Sequence, residues 1–378
     1  MSNWNTEAIE SYLGYRVIRE DGLIQEIMYE GESSLGKPTQ IFAYMGIPEN
    51  RNTQLPGMVC AHGGGGKAFR EWVDMWVKRG YAAISMDLSG RDSSGKRLSN
   101  GGPEQDDDTK FNTTTEWQET WTYHSVAAVM RANSILRSLT FIDSQRIGIT
   151  GISWGGYVTC IAAGVDKRFA CAIPVYGCGF LQNNSAEDWM KIFAKMNDEE
   201  RQIWHDNCDP SVYLAHAKMP MLFVSGTNDF AYPLDSLEMS CALPKNVNRC
   251  VRNEMGHSHQ YGWAPDEIAI FANQYLLNGL ALPNIKQCIK VDGNLVQSQY
   301  DGPLTASVGY LLYTTSRGPW VERKWYKESA TVDNKNVEGR LPDGVTAYFL
   351  AIEDERGAYV SSPCIEVEIT KTGKELYD

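Results

Sequence analysis

Gly151-Ile152-Ser153-Trp154-Gly155-Gly156 sets a serine among small residues, after the apolar run 146–150 and before a helix-like stretch over 155–165. A tight turn from strand to helix lifts such a serine above a sheet edge, and small flanking residues let the turn form. A serine hydroxyl alone is a poor nucleophile. It needs a histidine to take its proton and a carboxylate to orient that histidine. The chemistry implied is acyl transfer through a covalent intermediate. The bland alternative is a glycine-rich turn with an idle serine.

Six histidines are available: His62, His124, His205, His216, His257 and His259. After a serine on this kind of turn, the acid comes next in the chain and the histidine last. That order excludes His62 and His124 as the base, and His205 and His216 precede the best acid. The acid is expected at Asp229, because the apolar run 221–225 leads into Gly226-Thr227-Asn228-Asp229. This puts the carboxylate on a loop at the C-terminal end of a strand, where function concentrates in such sheets. Asp235 is the fallback, with helix capping as its plainer role. The base is expected at His257 in Gly256-His257-Ser258-His259. His259 stays open as a second choice, or as a polar loop residue behind the base.

His62-Gly63-Gly64-Gly65-Gly66 follows another apolar run, 56–61. Consecutive glycines let the backbone curl and aim N–H groups at a developing oxyanion. The expected oxyanion hole pairs the Trp154 N–H with that of Gly64, Gly65 being second. His62 is expected to brace the loop. A phosphate-cradling loop is the rival, but Gly66-Lys67-Ala68-Phe69 lacks the Lys-Ser/Thr ending that such a loop requires.

These residues need elements to carry them. Short apolar runs at 38–47, 56–61, 81–86, 146–150, 169–175 and 221–225 read as strands. Stretches 69–79, 124–139, 155–165 and 268–277 have helical periodicity. Residues 1–36 read as a helix and a short strand. Uniformly apolar strands alternating with helices imply a doubly wound, mostly parallel sheet covered on both faces. Beyond Leu282-Pro283-Asn284 the texture changes. Alternating runs at 307–315, 322–326, 346–352 and 364–369, separated by Asp-Gly and Gly-Pro turns, read as a small antiparallel β-sandwich. The expected organisation is a catalytic domain over 1–283, with a cap-like insertion near 178–218, and an accessory domain over 284–378. No internal repeat is evident.

Composition bounds the partners. The 378 residues suit about two domains. Lys+Arg is 35 against 47 Asp+Glu, a net charge of −12, which disfavours nucleic-acid and anionic membrane surfaces. No apolar run is long enough to span a bilayer, and the N-terminus lacks a basic-then-apolar signal pattern. Nine scattered cysteines, with no CxxC pair, read as buried free thiols in a reducing cytoplasm. The loop Glu104-Gln105-Asp106-Asp107-Asp108 reads as solvated carboxylates rather than a cation site.

The glycine loop, the Ser153 turn, the Asp229 loop and the Gly256-His257 loop occur in the order of the α/β-hydrolase superfamily, which the chain resembles over residues 38–280. Asp87-Leu88-Ser89-Gly90-Arg91 looks like an altered Asp-x-Arg-Gly turn of that superfamily. The stretch 141–156 is similar to the prolyl-oligopeptidase-like, dienelactone-hydrolase and acetyl-xylan-esterase branch. Dienelactone hydrolases carry a cysteine nucleophile where Ser153 stands, which argues against that activity. Prolyl oligopeptidases carry a propeller ahead of the hydrolase, for which residues before 38 leave no room. The C-terminal β-region resembles an accessory sandwich on some bacterial relatives of the esterase branch. The resemblance implies a Ser153–His257–Asp229 hydrolase working without metal or organic cofactor.

Trp189 and Trp204 in the insertion, and Phe230 beside Asp229, are candidate substrate-binding faces for sugar rings or aryl groups, though ordinary packing explains them equally well. The expected function is a serine carboxylesterase for a small-acyl ester, carbohydrate acetyl esters included. The substrate would be a small molecule or oligosaccharide, and a homo-oligomer is compatible with the sequence. A peptidase or amidase with the same triad, and a non-catalytic binding protein on this fold, are the alternatives.

Overall fold

The computed structural model describes residues 4–11, 14–369 and 375–376. Nine strands build the larger sheet: β1 (Tyr15–Asp21), β2 (Ile24–Ser34), β3 (Lys37–Gly46), β4 (Leu55–Ala61), β5 (Ala82–Met86), β6 (Ile142–Ile152), β7 (Cys171–Val175), β8 (Met221–Gly226) and β9 (Val247–Arg252). Their order is β1-β2-β3-β5-β4-β6-β7-β8-β9. The pairings from β5 to β9 are parallel, and β1 to β3 run antiparallel. Every residue of β4, β5, β7 and β8 is buried, which is why these segments carry no polar alternation. This is the α/β-hydrolase arrangement.

Helices cover both faces. Arg70–Lys78 buries Trp72, Val73, Trp76 and Val77, and every residue of Trp154–Val165 is buried. The periodic stretches 69–79, 124–139, 155–165 and 268–277 all become helices, with ends shifted by no more than three residues. Two strands differ from expectation. The expected N-terminal helix is present at Thr6–Glu10, but Tyr15–Ser34 forms a hairpin, β1 and β2, rather than one short strand, because β1 is exposed along nearly its whole length and carries no apolar run. β9 contains Asn248, Arg249 and Arg252, so its sequence does not look like a buried strand. Between β7 and β8 lie the helices Glu187–Phe193, Asp198–Cys208 and Pro210–Leu214.

The strands of the second sheet are β10 (Asn284–Ile285), β11 (Ile289–Asp292), β12 (Leu295–Asp301), β13 (Ala306–Thr314), β14 (Trp325–Asp333), β15 (Asn336–Arg340), β16 (Ala347–Asp354), β17 (Tyr359–Ser361) and β18 (Ile365–Glu366). They form one antiparallel sheet, β10-β12-β15-β14-β13-β16-β17, with β11 on β12 and β18 on β16. β14 pairs with β13 along its first six residues and with β15 along its last three. The sheet therefore folds over itself, and Leu311 on β13 packs against Gly339 on β15. The run 322–326, expected as a strand, instead holds the end of a one-turn 3₁₀ helix, Trp320–Glu322, and the start of β14. Pro319 opens that turn, and the Arg323 guanidinium lies 3.6 Å over the Trp320 ring.

The second sheet covers the edge of the first. Tyr359 Oη donates to Val251 O at 3.0 Å, and Val251 N–H donates to Ser361 Oγ at 3.1 Å. Both free backbone groups of that edge residue are thereby satisfied, which blunts the edge against pairing with other chains. All nine cysteines are unpaired; eight are buried and Cys364 is half-buried. No described helix is long and apolar enough to cross a membrane.

Candidate active site

Ser153 is the single residue between β6 and the helix Trp154–Val165, with φ 58° and ψ −120°. A non-glycine residue held there costs about 1–3 kcal/mol. The strain is held by the Ser153 N–H donating to Val175 O at 2.8 Å, and by Ser153 O accepting the first helical bond from Tyr157 N at 2.9 Å. The flanking glycines are obligatory. A side chain on Gly155 would run into the Ala61 carbonyl, and one on Gly151 into the backbone of Gly155.

Asp229 follows β8 and is buried. Its Oδ1 accepts the N–H groups of Ala231 and Tyr232 at 2.9 and 2.8 Å, which leaves Oδ2 to face His257 Nδ1 at 2.7 Å. That carboxylate makes Nδ1 the protonated nitrogen, which leaves Nε2 as the nitrogen able to accept a proton. The half-buried imidazole is held between rings. Tyr176 stacks on it at 4.4 Å and 26°, and Phe230 lies at 4.8 Å on an exposed loop. Among the described residues, neither Ser153 Oγ nor His257 Nε2 is committed to another protein group.

The glycine loop sits over the serine. A Cβ on Gly63 would lie 3.0 Å from Ser153 Cβ, and one on Gly64 would lie 2.8 Å from the Trp154 ring. The Trp154 N–H is at the first position of its helix, where N–H groups have no intrahelical acceptor. Two histidines hold the loop. Buried His62 is fixed as one tautomer: Nδ1 donates to Gly63 O at 2.7 Å and Nε2 accepts the Leu88 N–H at 2.8 Å. Burial pushes its pKa below the ordinary imidazole value. His259 does not face Asp229. Its Nε2 accepts the Gly63 N–H at 3.1 Å, and burial together with the nearby His62 and His257 lowers its pKa to about 4. Both imidazoles are thus neutral braces.

The aromatic candidates fall in different places. Trp189 is buried with its ring 4.6 Å from that of Trp154 and 5.6 Å from that of Tyr232. Trp204 lies deeper, packed on Phe111 and Phe193, and donates Nε1–H to Lys110 O at 3.0 Å. Asp235 binds the Asn184 amide rather than a histidine.

Two residues packed against the site are not marked by motif or spacing. Tyr176, at φ 57°, backs His257 and donates its hydroxyl to Gly256 O at 2.6 Å. Its place just after a parallel strand was the available signal. Lys110 lies buried 4.4 Å over the Trp154 ring and pairs with Asp107 at 2.8 Å. Nothing near it in sequence marks that position.

Residues 67–264 match the model of the prolyl oligopeptidase family. An uncharacterised peptidase, YuxL, of Bacillus subtilis is 24% identical over an alignment of 221 positions that covers 52% of this chain and 29% of that relative's length. Among solved structures, an acetyl xylan esterase from Paenibacillus sp. R4 is similar at a TM-score of 0.57 and 20% identity, covering 72% of this chain and 92% of that one. The acylaminoacyl peptidase of Pyrococcus horikoshii is similar at a TM-score of 0.52 and 18% identity, covering 72% of this chain and 44% of that one.

Proposed function

The chain belongs to the prolyl oligopeptidase family of serine hydrolases, and within it we propose a carboxylesterase that cleaves a small-acyl ester, with carbohydrate acetyl esters as the leading class. The observation that carries the hydrolytic site is the 2.7 Å His257–Asp229 pair, whose loop is joined to the strained Ser153 turn through His259 and Gly63. Ser153 Oγ attacks the ester carbonyl while His257 Nε2 takes its proton. Asp229 holds the tautomer and stabilises the imidazolium. The N–H groups of Gly64 and Trp154 receive the oxyanion; one such donor contributes about 10²–10³ in kcat. His257 then protonates the leaving alkoxide, and water releases the acyl group by the reverse sequence.

Two observations favour a small acyl group and an ester. The Trp154, Trp189 and Tyr232 rings pack on one another beside the proposed oxyanion hole, and on this reading they bound the acyl side. The match to the acetyl xylan esterase extends over nearly its whole length, against under half of the acylaminoacyl peptidase. A peptidase or amidase with the same site is the second reading, favoured by the peptidase relatives. Of the substrate candidates, Phe230 is exposed and able to meet a leaving group; Trp189 bounds the acyl side; Trp204 supports it from behind.

The test is turnover of p-nitrophenyl acetate, butyrate and octanoate, beside peptide anilides, by wild type and Ser153→Ala. Ser153-dependent hydrolysis confined to the short esters is expected. Faster anilide turnover would replace the esterase by the amidase. Inertness to every substrate and to a fluorophosphonate would refute both.

A further inference from the structure

We propose that the C-terminal sheet belongs to the scaffold of the catalytic site: the 320–323 turn, gripped by Asn228, sets the alignment of Asp229 with His257, and Asn228 and Thr227 are positioning residues. The inference rests on the reading of Asp229 and His257 as acid and base.

Asn228 immediately precedes Asp229. Its Nδ2 faces three backbone carbonyls of the C-terminal turn, Arg323 O at 2.7 Å, Val321 O at 3.0 Å and Trp320 O at 3.5 Å. Only the nitrogen end of the amide can face such a group, since the oxygen end would set acceptor against acceptor. Thr227 fixes that orientation from behind, donating its hydroxyl to Asn228 Oδ1 at 2.9 Å. The same Thr227 oxygen accepts the N–H of Glu254 at 3.0 Å. Glu254 stands at φ 49°, three residues before His257. One buried hydroxyl therefore ties the loop of the acid to the loop of the base, and Asn228 ties both to the second sheet.

The turn it grips is itself rigid. Arg323 is almost fully buried, with its guanidinium on the Trp320 ring, Nε–H donating to Gly318 O at 3.1 Å and Nη2 paired with Glu366 on β18 at 2.7 Å. A loop tied to a fixed turn holds its carboxylate within the few tenths of an ångström that base orientation needs. The rest of the docking is done elsewhere, by Tyr359, Ser361 and Cys364 against Glu267, Val251 and Glu238. Holding the two sheets together therefore does not by itself call for a contact beside Asp229.

The test uses the full chain as wild type, Asn228→Ala, Thr227→Val and Thr227→Ser. Thermal melting, kcat and KM for p-nitrophenyl acetate, and the rate of fluorophosphonate labelling are measured for each. Asn228→Ala and Thr227→Val are expected to lower kcat at least tenfold with KM within twofold, and to slow labelling in parallel. Thr227→Ser, which keeps the hydroxyl, should return to within threefold of wild type. If Asn228→Ala does not fold, the near-isosteric Thr227→Val and its serine partner decide. A folded Asn228→Ala or Thr227→Val with kcat within twofold of wild type, whatever its melting temperature, overturns the inference alone. A wild type without Ser153-dependent turnover overturns the functional reading and this inference with it.

Discussion

His259 offers a test of whether a neutral histidine outside the proposed triad holds the proposed oxyanion loop. In His259→Phe the ring contacts with Phe69, at 4.5 Å, and Trp263, at 5.9 Å, can be kept while the nitrogen is lost. The Gly63 N–H, now 3.1 Å from His259 Nε2, is left without its acceptor. An unmade bond of this kind costs about 1–3 kcal/mol. If most of that cost is met by the loop shifting, kcat/KM falls by about 5- to 100-fold. Complete loss of one oxyanion donor, about 10²–10³, is the ceiling. The assay is short-ester turnover beside a urea melt. A folded variant with kcat/KM within twofold of wild type refutes the bracing role.

The same substitution has a signature in pH. The His259 imidazole titrates at about 4 in the folded chain, against an ordinary value of 6.5. Below 6.5 the unfolded chain takes up a proton that the folded chain refuses. The stability this group contributes is thus full above about pH 6.5 and is lost as pH falls toward 4. Between pH 7 and 4.5 the loss comes to roughly 2 kcal/mol, because a one-proton difference between the two states changes stability by about 1.36 kcal/mol for each pH step of one. Wild type should lose that much more stability than His259→Phe across this interval. Equal losses in the two proteins would show that His259 is not held neutral by its surroundings.

Asp229→Asn should keep the fold, because an amide oxygen can still accept from Ala231 and Tyr232, yet lower kcat by roughly 10³–10⁴ by releasing the His257 tautomer; a loss under tenfold would remove Asp229 from the mechanism. Gly155→Ala should cost at least about 3 kcal/mol, read from the urea midpoint, since its methyl meets the Ala61 backbone, which cannot swing aside as a side chain would. Trp189→Ala should cost about 3 kcal/mol of stability and raise octanoate turnover relative to acetate. An unchanged chain-length preference would show that the Trp154–Trp189 contact does not bound the acyl side.

The tight turn at Ser153, the loop that carries Asp229 and the glycine loop were legible because each demand is local. A helix can follow Ser153 this tightly only if Gly155 has no side chain, and an acid at the end of β8 needs only the residues that build β8. The parallel strands were legible for the same reason, since burial on both faces leaves its mark in every residue of β4, β5, β7 and β8. β9 was missed because its edge is covered by another sheet. Arg252 can stand in it only because Glu267 pairs with it at 2.7 Å and the Tyr359 ring lies 5.1 Å from its guanidinium. The roles of His259 and Asn228 were hidden in another way. Each satisfies a backbone group far along the chain, Gly63 N–H in one case and the carbonyls of 320–323 in the other. A backbone N–H or C=O is the same at every residue, so it leaves no trace in the sequence of its partner, and Asn228 reads simply as a turn residue. What the sequence can disclose is the chemistry of the reacting groups. The restraints that align them are made largely to anonymous backbone, so it is at residues such as Asn228, unremarkable by type and one position from the carboxylate proposed to orient the base, that substitution should most exceed what the sequence leads one to expect.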